Sequence, residues 1–196
     1  MKFRSLAACI ALVSLSLPAR SLGQGTEWGR IGTPREERGA SGTLYNQDYF
    51  TAQMYPEVKY LLGLVEGAHF DERVFKNYHG GDLSWAQRDC EYTLERFPNH
   101  PGALNMMVGI GRKINQPGLA ISFFEKALKE YPLYGYTRAQ YGHYLVELGA
   151  VSAGILELKE ALRLDPDLVT ARAWLAEAED TAARDVSAGR RTRPGP

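Results

Sequence analysis

Histidine and cysteine are the residue types in this chain that could bind a transition metal or carry out catalysis. The 196-residue sequence contains four histidines: His69, His79, His100 and His143. No two of them are three or four residues apart, the spacing that places two metal ligands on one face of a helix. No Cys-x2-Cys pair occurs either. His100 lies between two prolines, where helix capping or turn packing accounts for it. We therefore predict no metal site.

The sequence contains neither a reactive-looking cysteine nor a known catalytic motif. Cys90 falls on the apolar stripe of a predicted helix with no base at helical spacing, so a buried and inert thiol is expected. The sequence contains no G-x-S-x-G, P-loop or dinucleotide-binding motif. The glycines of Gly109-Ile110-Gly111 lie within a predicted helix and are interpreted as a close-packing site. The sequence therefore predicts a non-catalytic protein that requires no cofactor.

A repeat organises most of the chain. Three prolines, Pro98, Pro132 and Pro166, stand 34 residues apart, and this period is typical of stacked helix–turn–helix units. Small and large apolar residues recur at matching positions inside two of these units: Met107, Ala120, Phe124 and Ala127 in one, and Tyr141, Gly142, Leu145, Gly154, Leu158 and Ala161 in the next. The pattern predicts an all-α fold.

These positions resemble the tetratricopeptide repeat (TPR) superfamily over residues 67–184, and Thr93–Pro101 is similar to a segment of small exported bacterial TPR proteins. The resemblance implies a short right-handed α-solenoid of about three repeats plus a C-terminal capping helix: 67–100, 101–134, 135–168 and 169–184. Val108 departs from the family pattern, which has a small residue there. In the capping helix, Trp174 is predicted on the buried side. The family also implies a concave groove, lined mainly by the first helix of each repeat, that binds a protein or peptide.

The groove positions that the resemblance implies supply the candidate site. The family's carboxylate clamp needs a cationic set that these positions lack, so that clamp is predicted to be absent. The predicted partner-binding residues form a mixed aromatic and polar set: Phe75, Asn105, Arg112, Tyr136, Gln140 and His143. Spacings of three and four place the last three on one helix face, and a spacing of seven does the same for Asn105 and Arg112. The alternative is that these residues are ordinary solvated helix surface.

The first 23 residues have the pattern of an export signal peptide. Lys2 and Arg4 precede an apolar run from Leu6 to Leu17, and Ser21-Leu22-Gly23 offers small residues for cleavage. A helix needs about 20 apolar residues to cross a bilayer, and this run is shorter. We expect cleavage near Gly23, no membrane span in the mature chain, and a periplasmic or secreted location.

Glycine and charged residues dominate residues 24–47, which are interpreted as a flexible linker before a repeat domain at 48–184. Trp28 is an exception in the linker. Docking on the domain is its expected role, and docking on a partner is the alternative. A helix that begins at Pro56 is predicted to pack on the first repeat. Residues 185–196 are interpreted as a disordered tail.

The charge of the chain bears on whether nucleic acid is a partner. Without the signal peptide, 20 basic residues remain against 23 acidic ones, a net charge of about −3. This balance gives no electrostatic reason to expect nucleic acid as a partner. The sequence predicts a non-catalytic exported TPR protein that binds a protein or peptide of unknown identity. The alternative is a structural subunit of an envelope or secretion assembly.

Overall fold

The computed structural model describes residues 44–191. Helices make up most of the regular structure in this part of the chain. Side chains are described as far as residue 185. The predicted signal peptide, most of the predicted linker and residues 192–196 lie outside this part. The described residues form two compact units, 44–132 and 133–191.

The first unit begins with a 3-10 helix at Ala52–Met54. The α-helices of this unit are α1 at Pro56–His69, α2 at Glu72–Gly80, α3 at Leu83–Arg96, α4 at Pro101–Lys113 and α5 at Ile121–Glu130. Proline opens α1 and α4, where its missing N–H would have had no partner in the helix. Gly81 ends α2 with a φ of 90°, a left-handed conformation that glycine adopts without strain. Helix α3 packs against α1, α2 and α4.

The second unit contains α6 at Gly135–Glu147, α7 at Val151–Leu164 and α8 at Val169–Arg191. Each of these three helices packs against the other two. Helices α4, α6 and α8 begin 34 residues apart, at the period of the three prolines. This periodic helix pairing confirms the predicted all-α class and the TPR-like fold. Helix α8 continues to Arg191, beyond the predicted end of the capping helix at 184.

Small residues let α6 and α7 approach closely. A Cβ atom built on Gly154 would lie 2.5 Å from Val146 Cγ2 and 2.6 Å from the backbone oxygen of Gly142. The core around this contact consists largely of alanine with one leucine: Ala139, Leu158, Ala161, Ala171 and Ala178. Because these helices meet backbone to backbone, larger side chains have no room at the contact.

Residues 44–51 pack on the helices of the first unit, although the composition places residues up to 47 in the predicted linker. Leu44 joins an apolar cluster with the inner side of α1 and with Phe97, the residue that follows α3. The backbone N–H of Gln47 donates to the carbonyl oxygen of Arg96 at 2.6 Å. The domain contacts therefore begin before residue 48, because this segment finds partners in the turn after α3. The predicted packing of the helix at Pro56 on the first repeat is confirmed.

Candidate partner-binding faces

The predicted site residues divide between the two units. Phe75 lies on α2, and Asn105 and Arg112 lie on α4, all in the first unit. Tyr136, Gln140 and His143 lie on α6 in the second unit. Each group is described below by itself.

On α4, the predicted residues flank a glycine that is covered by a tyrosine. A Cβ atom on Gly109 would lie 2.6 Å from the hydroxyl oxygen of Tyr78 on α2, so Gly109 is the close-packing site that the sequence predicts. Lys113 Nζ lies 4.2 Å from the centre of the Tyr78 ring and donates to the Tyr78 carbonyl oxygen at 2.8 Å. Asn105 and Arg112 are exposed on the same side of α4. We call these five residues the α4 face.

Phe75 stands three residues before Tyr78 on α2, and 43% of its surface is exposed. Its ring meets that of Phe70 edge to face, with ring centres 5.5 Å apart. The Phe70 ring is fixed in turn by α4, because a Cβ atom on Gly102 would lie 2.7 Å from it. Phe75 thus presents a supported aromatic ring to solvent, an arrangement that suits contact with a partner.

On α6, the three predicted residues differ in how much solvent reaches them. Tyr136 and His143 are half-buried, whereas Gln140 is only 3% exposed. The ring of His143 packs against that of Trp174 on α8, with ring centres 4.5 Å apart. His143 Nδ1 also lies 3.7 Å from a carboxylate oxygen of Glu147. Gln140 could offer its amide to a partner only after a rearrangement.

Trp174 is a candidate site residue that the sequence interpretation misses. Its ring is half-buried rather than enclosed, and it supports the imidazole of His143. The repeat period contains the signal that could have found it, because Trp174 stands 34 residues after Gln140 and so occupies the same position of the next helix pair. We call Tyr136, Gln140, His143 and Trp174 the α6 face.

Cys90 has none of the properties of a nucleophile. Its side chain is completely buried in α3. Burial raises the pKa of the Cys90 thiol to about 12, with a smaller contribution from the neighbouring carboxylates of Asp89 and Glu91. At neutral pH the reactive thiolate is therefore negligibly populated. The predicted burial of this thiol is confirmed.

His100 caps α4, as its position between two prolines predicts. The buried imidazole accepts a hydrogen bond at Nδ1 from the backbone N–H of Ala103 at 3.1 Å. The rings of Tyr49 and Phe70 pack edge to face against it, with centres 4.6 Å and 4.7 Å away. Its Nε2 lies 3.3 Å from a carboxylate oxygen of Glu66, whose pKa is raised by burial. Burial lowers the pKa of His100 to about 4, so the imidazole is neutral at pH 7.

Two negative findings apply to the described part of the chain. No group of three or more His, Cys, Asp and Glu side chains there could hold a metal ion. No helix there combines the length and the apolar character needed to cross a membrane.

Comparison with known proteins adds one structural likeness. No family model matches the chain, and no curated protein matches it. Among solved structures, the chain is similar to the first TPR domain of Spaghetti (RPAP3) bound to the HSP90 peptide SRMEEVD. The two share 15% sequence identity and a TM-score of 0.46, over 62% of this chain and 93% of that chain. The helix pairing within each unit, and not this likeness, establishes the fold described above.

Proposed function

We propose that this protein is a non-catalytic, exported TPR protein that binds a protein or peptide partner. The observation that carries the proposal is the composition of the α4 and α6 faces. On both, partly exposed aromatic rings lie beside amide, guanidinium or imidazole groups on the first helices of the repeats. Tyrosine, tryptophan and arginine are the residue types most enriched at binding hot spots. Export is supported by the pattern of the first 23 residues alone.

The chemistry of the two faces suits an extended peptide. Tyr136 on the α6 face and Phe75, which stands three residues before Tyr78 of the α4 face, offer apolar contact to side chains. Groups such as Asn105 and Arg112 offer hydrogen bonds to peptide backbone. Gln140, being buried, contributes by holding its neighbours in place. The rest of each face is expected to exclude water without adding much energy.

Site-specific photo-crosslinking tests whether these faces touch the partner. A photoreactive residue is placed at position 112, at position 136 and, as a control, at position 85. Trp85 is a fair control because it is 53% exposed and has Arg88 stacked 4.0 Å above its ring. It lies on α3, the second helix of a repeat, whereas the predicted groove is lined mainly by first helices. We expect the same partner to be crosslinked from positions 112 and 136 but not from position 85. Equal crosslinking from position 85 would contradict the proposal.

Affinity measurements with that partner provide the second test. Truncation of a hot-spot residue costs about 2 kcal/mol or more, which is about 30-fold in Kd. The double variant Arg112→Ala with Tyr136→Ala is therefore expected to weaken binding at least this much while its helical melt stays unchanged. The control is Trp85→Ala with Arg88→Ala, an exposed aromatic–arginine pair of the same kind, which should bind normally. Obligate self-association of the purified chain would instead favour the structural subunit of an envelope assembly.

A further inference from the structure

The outer side of α1 carries exposed apolar residues that no described part of the chain covers. Tyr60 and Leu64 are 69% and 52% exposed, and their spacing of four places them next to each other on the helix. Met54, just before α1, is 72% exposed. A shallow depression runs along this side of the helix, and we call its lining the outer face of α1: Pro56, Lys59, Tyr60, Gly63 and Leu64.

Two glycines leave space on this side of α1. A Cβ atom built on Gly63 or Gly67 would have no described atom within 4 Å. Glycine inside a helix costs about 1 kcal/mol relative to alanine, and no contact among the described residues requires it at either position. The missing side chains leave a strip of bare backbone beside Tyr60 and Leu64, where a flat ring can lie close to the helix. An exposed apolar surface with such a strip is a place for another element to dock.

We propose that residues 24–43 of the same chain dock on the outer face of α1 through Trp28 and Ile31. These are the large apolar residues of that segment, and an indole buries about 200 Å² when covered. In a polyproline II conformation, which has three residues per turn, a spacing of three would place both side chains toward one strip. Lys59 on the rim of the depression complements Glu27, which directly precedes Trp28. The proposal is independent of partner binding by the α4 and α6 faces.

Residues 24–43 are a favourable occupant because the chain connects them directly to Leu44, which packs on α1. Leu44 stands sixteen residues after Trp28, and this length of chain reaches about 55 Å when extended. Leu44 itself packs with Val58, Leu62 and Val65 on the inner side of α1, and α1 is only about 21 Å long. Every point of the outer face is therefore within reach. A short tether raises the effective concentration of the segment to the millimolar range, so that a modest apolar contact is sufficient.

The fluorescence of Trp28 tests the proposal directly. In the variant Trp85→Phe with Trp174→Phe, Trp28 is the remaining tryptophan of the three in the sequence. The protein is purified in the form that the expressing cells produce. It contains Trp28 whether or not the signal peptide is cleaved after Gly23. We expect blue-shifted emission and acrylamide quenching several-fold weaker than in urea. Emission and quenching equal to those of the urea-unfolded chain overturn the proposal.

Two further substitutions locate the docking surface. Leu64→Asp, in the same single-tryptophan background, should make Trp28 as accessible to acrylamide as it is in urea, without changing the helical melt. The matched control is Leu156→Asp on α7, since Leu156 is also exposed, at 65%, and it should leave Trp28 protected. Protection that survives Leu64→Asp places Trp28 elsewhere and overturns the proposal. If the protection of Trp28 from acrylamide disappears on dilution and the molecular mass in solution depends on concentration, the outer face of α1 binds a second copy of the chain. That result also overturns the proposal.

Discussion

The substitution of Asn99 offers a sharp test of how the segment 44–51 is held. Asn99 is completely buried in the turn after α3. Its Nδ2 donates to Asp48 Oδ1 at 2.8 Å, and its Oδ1 accepts from the backbone N–H of Tyr49 at 2.9 Å. One amide thus satisfies both a buried carboxylate and a backbone donor. The two variants Asn99→Ala and Asn99→Asp disturb this arrangement in different ways.

The size of each effect follows from these two hydrogen bonds. In Asn99→Ala, the bond to a charged group is lost, at about 1.5–3 kcal/mol, and the Tyr49 N–H loses its partner, at about 1–3 kcal/mol. The free energy of unfolding should therefore fall by about 3–5 kcal/mol. Asn99→Asp keeps an acceptor for Tyr49 but places a second carboxylate beside Asp48. Two like charges 4 Å apart repel by about 4 kcal/mol at an effective dielectric constant of about 20, on top of the lost donor.

Urea unfolding at pH 7 and pH 5 separates the two variants. At pH 7 we expect Asn99→Asp to be less stable than Asn99→Ala. The neighbouring carboxylate raises the pKa of the introduced carboxyl in the folded state. Because the protonated form is then favoured by folding, Asn99→Asp should regain stability, relative to wild type at the same pH, as the pH falls through that raised pKa. Asn99→Ala should show no such recovery. Wild-type stability of Asn99→Asp at pH 7 would refute the reasoning.

The remaining predictions concern the core, the cysteine, the buried histidine and the N-terminus. Ala120→Leu and Ala127→Leu, at two completely buried positions, should each lower stability by about 1–3 kcal/mol through overpacking, measured as thermal melts; unchanged melts for both would contradict the predicted helix pairing. Cys90, with its pKa of about 12, should react with a thiol reagent only as fast as the chain unfolds. His100 has a folded-state pKa of about 4, below its unfolded value, so it contributes stability that is complete above pH 6.5. About 3 kcal/mol of this should be lost as the pH falls toward 4, and urea unfolding should show a flatter pH profile for His100→Asn, which keeps a capping oxygen. N-terminal sequencing of the exported protein should begin at about Gln24, and an intact Met1 on a cytoplasmic pool would contradict export.

The parts of the fold that the sequence predicts are those fixed by local constraints. Proline can open a helix but not continue through one, so Pro101 marks the start of α4. The glycine at Gly109 identifies a close approach because no larger residue fits beneath Tyr78. Such constraints act over a few residues and recur with the repeat. A single sequence is therefore sufficient to place the helices and their pairing.

The parts that the sequence does not predict depend on partners far along the chain. Asp48 and Asn99 are 51 residues apart. The sequence places the start of the repeat domain at residue 48, but nothing in it shows that Asp48 binds Asn99. The burial of Gln140 is equally hidden, because it depends on what packs against that side of α6 in the folded chain. Helical spacing correctly groups Gln140 with Tyr136 and His143 on one side of α6. Spacing alone cannot show how much of that side remains exposed.

The turn after α3 gains a physical explanation from these contacts. Arg96, with 7% of its side chain exposed, stacks 3.5 Å above the Tyr92 ring and 4.4 Å from that of Tyr45. Its Nη2 donates to the Tyr45 hydroxyl at 3.0 Å. Three residues after Arg96, Asn99 binds Asp48 and Tyr49. His100 packs edge to face against the Tyr49 ring while it caps α4. A buried cation, amide and imidazole in one short turn could suggest a ligand site. Here contacts within the first unit engage all three groups. Arg96 also pairs with Glu95, and His100 also lies beside Glu66. The contacts with residues 45–49 attach the N-terminal segment to the repeat.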